Sequence, residues 1–241
     1  DCDLVSGTST NDRQGCPDTD SDGWSDPDEG WTTNNGADAF PTQPSQWIDS
    51  DNDGFGDNLN GFEPDHCPYR RGYSNLDRFG CLDSDGDGWS DADPGGLDGV
   101  EPWFAHPNGS ADAFPFTPSQ WNDTDEDGFG DNWADGSWND TRMNWSIGVW
   151  YANASQPDAC PFVTGFSVED RFGCPDADND GWSDPDSNWT ASNGADAFPE
   201  NPTQWSDRDN DGWGDNQSEG ALQVDDFPDN PTQWLDTDGD G

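Results

Sequence analysis

The chain has 241 residues, with 53 acidic against 7 basic side chains and a formal net charge of −46; every basic residue is Arg. Only 28% is hydrophobic, while Gly (29) and Pro (19) are abundant, which excludes an ordinary apolar core built from about 45–50% apolar residues. No run approaches the roughly 18 apolar residues of a membrane helix, and no basic patch can track phosphates, so neither a membrane span nor a nucleic-acid partner is expected.

Charge and hydropathy alone describe a disordered acidic chain. The 15 Trp and 13 Phe contradict that, because such chains are poor in aromatics. Six Cys, one Met and no Lys point to an oxidising extracellular or cell-surface setting. A chain that opens on Asp1 and stops inside a repeated motif reads as a window on a longer secreted protein.

The motif is D-x-D-x-D-G. It starts at Asp18, Asp49, Asp83, Asp123, Asp176, Asp207 and Asp236, at intervals of 31, 34, 40, 53, 31 and 29 residues. Two kinds of unit carry it. The cysteine kind is expected over 1–35, 65–109 and 158–193, with Cys2/Cys16, Cys67/Cys81 and Cys160/Cys174, an Asp-Arg pair (Asp12-Arg13, Asp77-Arg78, Asp170-Arg171) and a Gly before the second Cys. The other kind, D-A-F-P-x-x-P-x-Q-W, is expected over 36–64, 110–157 and 194–220, with a truncated copy over 221–241. Its aromatics are Phe40/Trp47, Phe114/Trp121, Phe198/Trp205 and Phe227/Trp234. Helical periodicity is absent and Pro or Gly recurs about every ten residues. The expected fold is irregular and low in secondary structure, a repeat array with disulfides and a few short β-bridges. The clearest strand candidate, Met143–Tyr151, is expected to form a hairpin with its flank.

Alternate carboxylates around a tight turn suit calcium, which takes six to eight hard oxygens at about 2.3–2.6 Å. Zinc would want His or Cys, and magnesium resists an all-protein cage. In chain order the loops offer Asp18, Asp20, Asp22 and Asp26; Asp49, Asp51, Asp53 and Asp57; Asp83, Asp85, Asp87 and Asp91; Asp123, Asp125, Asp127 and Asp131; Asp176, Asp178, Asp180 and Asp184; Asp207, Asp209, Asp211 and Asp215; and the truncated set Asp236, Asp238 and Asp240. Position 7 would ligate through its carbonyl, leaving an aromatic side chain free: Trp24, Phe55, Trp89, Phe129, Trp182 and Trp213. An EF-hand would add Glu at position 12, and only the first loop has one, Glu29. The missing ligand is sought at Asp28, Asp93 and Asp186; at Asp38, Asp112, Asp196 and Asp225 before each F-P; at Asp65 and Asp158 near the first Cys; and at Asp12, Asp77 and Asp170. Ions shared between neighbouring units would make a ladder, with one to two or more calcium ions per repeat.

The segments DHCPYRRGYSNLDRFGCLDSDGDGWSD and DACPFVTGFSVEDRFGCPDADNDGWSD resemble thrombospondin type 3 repeats, in the version found in microbial surface proteins. The D-A-F-P-x-x-P-x-Q-W unit resembles one that accompanies such repeats. The likeness covers all but roughly 94–109 and 133–157. It implies a calcium-wrapped, core-poor, elongated array with several ions per repeat.

Identical spacing most simply pairs the cysteines within each unit, a closure of roughly 3 kcal/mol for a loop of about 15 residues; metal ligation and free thiols are the alternatives. The Phe and Trp residues are expected to pack on Pro rings beneath each loop. The cluster Trp133, Trp138, Trp145, Trp150 and Tyr151 is the candidate for chain–chain or glycan contact. N-x-S/T sequons at Asn108, Asn122, Asn139, Asn144, Asn153, Asn188 and Asn216 point to N-glycosylation. His66 and His106 lie in different units and no catalytic constellation is present, so no enzyme is expected. The expected function is a secreted calcium-binding rod, stalk or filament shaft, with copies of itself as partners. The alternative is a calcium-dependent adhesin that binds glycan or cells through the Trp-rich insertions.

Overall fold

The computed structural model describes residues 2, 5–95, 101–134 and 147–239. It divides into two compact units, Asp1–Pro118 and Ser119–Gly241. The boundary falls inside the repeat at 110–157. Regular structure is nearly absent, as the Pro and Gly punctuation predicts. Among the described residues there are two 3-10 turns, Thr33–Asn35 and Ala191–Asn193, and isolated β-bridges. Each turn ends on a left-handed glycine, Gly36 or Gly194.

The interior is polar. Among the described residues, the buried apolar side chains other than proline are those of cysteine and alanine: Cys16, Cys67, Cys81, Cys160, Cys174, Ala37, Ala111, Ala159 and Ala195. The largest fully buried side chains are instead Gln46, Gln120 and Gln204, followed by Asn132 and a set of aspartates. Phe116, Tyr73, Leu76 and Phe166 are exposed.

Three disulfides form within units, Cys2–Cys16, Cys67–Cys81 and Cys160–Cys174, with Cα atoms 5.0–5.1 Å apart. Metal ligation and free thiols are thereby set aside. Each cystine hairpin folds around a buried serine. Ser74 Oγ accepts from the Cys81 amide at 3.0 Å and donates to the carbonyl of Arg78, and Ser9 and Ser167 repeat this.

The Asp-Arg pair has a structural task. Arg171 donates from Nε to Ser183 Oγ (3.1 Å), from Nη1 to Asp186 (2.6 Å) and from Nη2 to the Asp184 carbonyl (3.3 Å), while its Cζ lies 5.5 Å over the Trp189 ring. Asp170 accepts from Ser183 Oγ (2.5 Å) and from the Trp189 indole (2.9 Å). Arg13, Asp12 and Trp31 make the same clamp. In the second cysteine-bearing segment, 65–109, Trp103 supplies the indole to Asp77. An antiparallel bridge to Asp93, with two hydrogen bonds of 2.7 Å, closes the inserted segment at its base.

The aromatics join consecutive motifs. Trp24 lies parallel to Trp47 (6.2 Å), Trp182 to Trp205 (6.2 Å) and Trp213 to Trp234 (5.8 Å); Phe55 meets Phe79 and Phe129 meets Phe172. The strand expected over Met143–Tyr151 lies partly outside the described residues. Its described end makes a parallel bridge, Trp133 to Trp150, and the rest of the expected hairpin lies outside the described residues. Beside it the Asn132 side chain accepts from the Val149 amide at 3.0 Å.

Candidate metal centres

Each loop is shaped by its first aspartate. Asp18 accepts from the amides of Ser21 (2.8 Å) and Gly23 (3.2 Å), and Asp22 accepts from Trp24 (2.8 Å). The pattern repeats at Asp49, Asp83, Asp123, Asp176 and Asp207. Position 6 is left-handed, which its glycine permits. So is position 4, at Ser21, Asn52, Gly86, Glu126, Asn179 and Asn210. The recurrent Asn or Gly at position 4 was the sequence signal for that second bend.

The result brings the carboxylates of positions 1, 3 and 5 together. One oxygen from each lies within 4.8 Å of the others in Asp18/Asp20/Asp22, Asp49/Asp51/Asp53, Asp83/Asp85/Asp87, Asp123/Asp125/Asp127 and Asp176/Asp178/Asp180. Position 9 does something further. Asp26 accepts from the Thr19 amide (3.0 Å) and hydroxyl (2.6 Å), and Asp57, Asp91 and Asp131 bind Ser50, Ser84 and Thr124 likewise. The hydroxyl at position 2, which the sequence reading passed over, therefore pins the loop's far end to its start. No described backbone amide donates to the carbonyls of Trp24, Phe55, Phe129, Trp182 or Trp213, the aromatic position 7.

The candidates for the missing ligand separate cleanly. Asp28, Asp93 and Asp186 pair with Arg13, Arg70 and Arg171 at 2.6–2.8 Å. Asp12, Asp77 and Asp170 are held by serine and tryptophan donors. The remaining candidates, all from the following motif, are buried against the loops and are here called closing aspartates: Asp38 at the first, Asp65 at the second, then Asp112, Asp158, Asp196 and Asp225. Each of the six is at most 2% exposed, and each feels the charges of positions 3, 5 and 9 of its loop. Glu29 is exposed, whereas Asp38 is buried and feels the charges of Asp20, Asp22 and Asp26.

Two kinds of key fit the loops. In D-A-F-P units the closing aspartate caps the following Phe amide, as Asp38 does for Phe40 at 2.7 Å, and the Gln43 backbone reaches Asp20. In cysteine units it caps the Cys amide, as Asp65 does for Cys67 at 2.7 Å, and the Gly72 amide donates to Asp53 Oδ2 at 3.0 Å. Buried oxygens then remain with no hydrogen-bond partner: Oδ2 of Asp20, Asp22 and Asp38 at the first loop, both oxygens of Asp51 with Asp65 Oδ2 at the second, and Oδ2 of Asp178, Asp180 and Asp196 at the fifth. An orphaned buried acceptor costs about 1–3 kcal/mol, more when charged.

Electrostatics agree. Burial first, and then the neighbouring carboxylates, push Asp38, Asp65, Asp112 and Asp196 up to about 7 and Asp158 up to about 9. Asp28 moves the other way, because Arg13 bonds it. Burial opposes the charge of Asp12, but its bonds from Ser25, Arg13 and Trp31 outweigh that and hold it low. The donor set is carboxylate oxygen, which suits a hard cation of the calcium kind.

The truncated loop is described as far as Gly239; Asp236 caps the Gly239 amide at 2.7 Å, while Asp240 lies outside the described residues. Of the sequons, Asn108, Asn153 and Asn188 are exposed and Asn122 is half-buried; Asn139 and Asn144 lie outside the described residues. The Asn216 amide nitrogen donates to the Thr203 carbonyl at 2.8 Å.

Gln46, Gln120 and Gln204 emerge from the structure alone. Each binds the backbone of the Asn in the next G-D-N, and that Asn returns a bond to the residue before the Gln. A scan against protein-family models and a comparison with curated proteins find no match to the chain.

Proposed function

We propose that the chain is a secreted calcium-binding structural element, a rod, stalk or filament shaft, in which cations bridge each loop to the motif that follows it. One observation carries the reading. Carboxylates of two consecutive motifs bury oxygens without hydrogen-bond partners and feel one another's charge, as Asp38 does with Asp20 and Asp22. A hard divalent ion placed among them would satisfy both sides, and its binding energy would then be folding energy. Extracellular modules bind calcium at about 10⁻⁴–10⁻³ M, which suits a chain whose disulfides fit an oxidising exterior. No helix among the described residues is long and apolar enough to cross a membrane. The role is structural, not catalytic. Its test is near-UV circular dichroism with and without a chelator. The tryptophan signal should collapse when calcium is stripped and return when it is restored; an unchanged spectrum would refute the proposal.

The adhesin reading has one observation in its favour. A cavity of about 600 Å³ in the second unit is lined by the parallel rings of Trp182 and Trp205 together with Arg208 and Asn210. Glycan-array binding that Trp205→Ala removes, with calcium binding intact, would favour that reading over a plain shaft.

A further inference from the structure

The loops closed by cystine hairpins, 49–57 and 123–131, are one site built twice. Asp49 and Asp123 each cap the glycine at position 6 at 3.0 Å. Asp53 Oδ2 accepts from Gly72 (3.0 Å) and Asp127 Oδ2 from Gly165 (3.1 Å). Asp65 and Asp158 close them, capping Cys67 and Cys160.

They differ in charge. Arg71 donates from Nε to the Asp51 carbonyl, and its charge bears on Asp53. In the twin, Thr164 stands at that place and donates to the Asp125 carbonyl at 3.1 Å. Position 4 is Asn52 in one and Glu126 in the other, both at φ 64°. The first site therefore sets five carboxylates against a guanidinium at its rim. The second has six carboxylates and a neutral hydroxyl.

We infer that Arg71 makes the loop at 49–57 a weaker cation site than its twin at 123–131, so that its ion leaves first as free calcium falls. The inference rests on the calcium reading above. Arg71 keeps the carbonyl in place through its hydrogen bond while its positive charge opposes a second cation. An exposed charge is worth little against a monovalent partner, but a divalent ion doubles the effect. Exchanging Arg for Thr should therefore shift affinity about fivefold at low salt. The consequence is graded loosening, with the segment from Asp49 to Gly72 yielding before its twin.

The test uses the full chain labelled with ¹⁵N-glycine. Gly54 and Gly128 each donate to the first aspartate of their own loop, so each amide reports its own site during a calcium titration. Gly128 should saturate at lower calcium than Gly54. Arg71→Thr should bring the Gly54 midpoint down about fivefold and leave Gly128 alone, whereas Arg71→Lys, which keeps the charge, should hold it near the wild-type value. Thr164→Arg should raise the Gly128 midpoint, and added salt should narrow the gap. Coincident midpoints that neither exchange moves would overturn the inference while leaving calcium binding intact. Silence of both glycines well above about 10⁻³ M calcium would overturn the calcium reading and this inference together.

Discussion

Gln46 and Asn58 clasp each other through side chain and backbone: Gln46 Oε1 accepts the Asn58 amide at 3.0 Å, and its Nε2 donates to the Asn58 carbonyl at 3.1 Å. Asn58 Nδ2 returns a bond to the Ser45 carbonyl at 2.8 Å. Gln46 is 1% exposed, so these bonds form away from water. The clasp fixes the loop between them and thereby aims Asp49, Asp51 and Asp53. The Gln204–Asn216 pair does the same in the second unit.

Gln204→Ala should therefore destabilise the calcium-loaded protein by about 2–4 kcal/mol, because it empties a buried position and leaves the half-buried Asn216 amide and carbonyl unpaired. Denaturant unfolding in saturating calcium measures this. Gln217→Ala, at a side chain with one bond of 2.9 Å to the Asp225 carbonyl, should cost about 1 kcal/mol or less.

Closing carboxylates should matter more to ion binding than arginine-paired ones. Asp196→Asn should weaken the fifth loop at least tenfold, since it removes a charge from a buried oxygen cluster. Asp186→Asn should move that affinity less than threefold, because Asp186 is bound to Arg171. Terbium luminescence sensitised by Trp182, compared between the two variants, reads the difference.

Arg171→Lys should cost about 2 kcal/mol of stability. The guanidinium fork serves Ser183, Asp184 and Asp186 at once, and an ammonium cannot reproduce that geometry. Thermal unfolding in calcium gives the measurement; a wild-type melting temperature would show the clamp to be dispensable.

Without calcium the protein should be better ordered in mild acid than at pH 8. Asp38, Asp65, Asp112 and Asp196 sit at about 7 in the folded chain against 3.8 for an ordinary aspartate. A raised folded value means stability that is complete below about pH 4 and lost as pH climbs through about 7. Asp158, at about 9, extends the loss upward. Calcium should invert the profile, because ion-bound carboxylates resist protonation. Near-UV circular dichroism against pH, in chelator and in calcium, checks both signs.

Much of this was legible in the sequence because its chemistry is periodic. Seven aspartate motifs, three cysteine pairs and the scarcity of apolar residues announce a chain without an oily core. The closing aspartates were visible only as candidates. Asp28, Asp38 and Asp12 look alike in one dimension, and Arg13, Ser25 and Trp31 decide among them in three. The Gln–Asn clasp was missed because Q-W and G-D-N stand 12 residues apart and read as separate turn signals. The pairing of Trp24 with Trp47 was hidden for a similar reason: the two belong to different motifs.

The most direct measurement is an anomalous difference map from crystals grown in calcium. The account predicts peaks between Asp20, Asp22 and Asp38, between Asp51 and Asp65, and between Asp178, Asp180 and Asp196, with carboxylate oxygens at about 2.3–2.6 Å. An ordered backbone with no cation at those three places would contradict it.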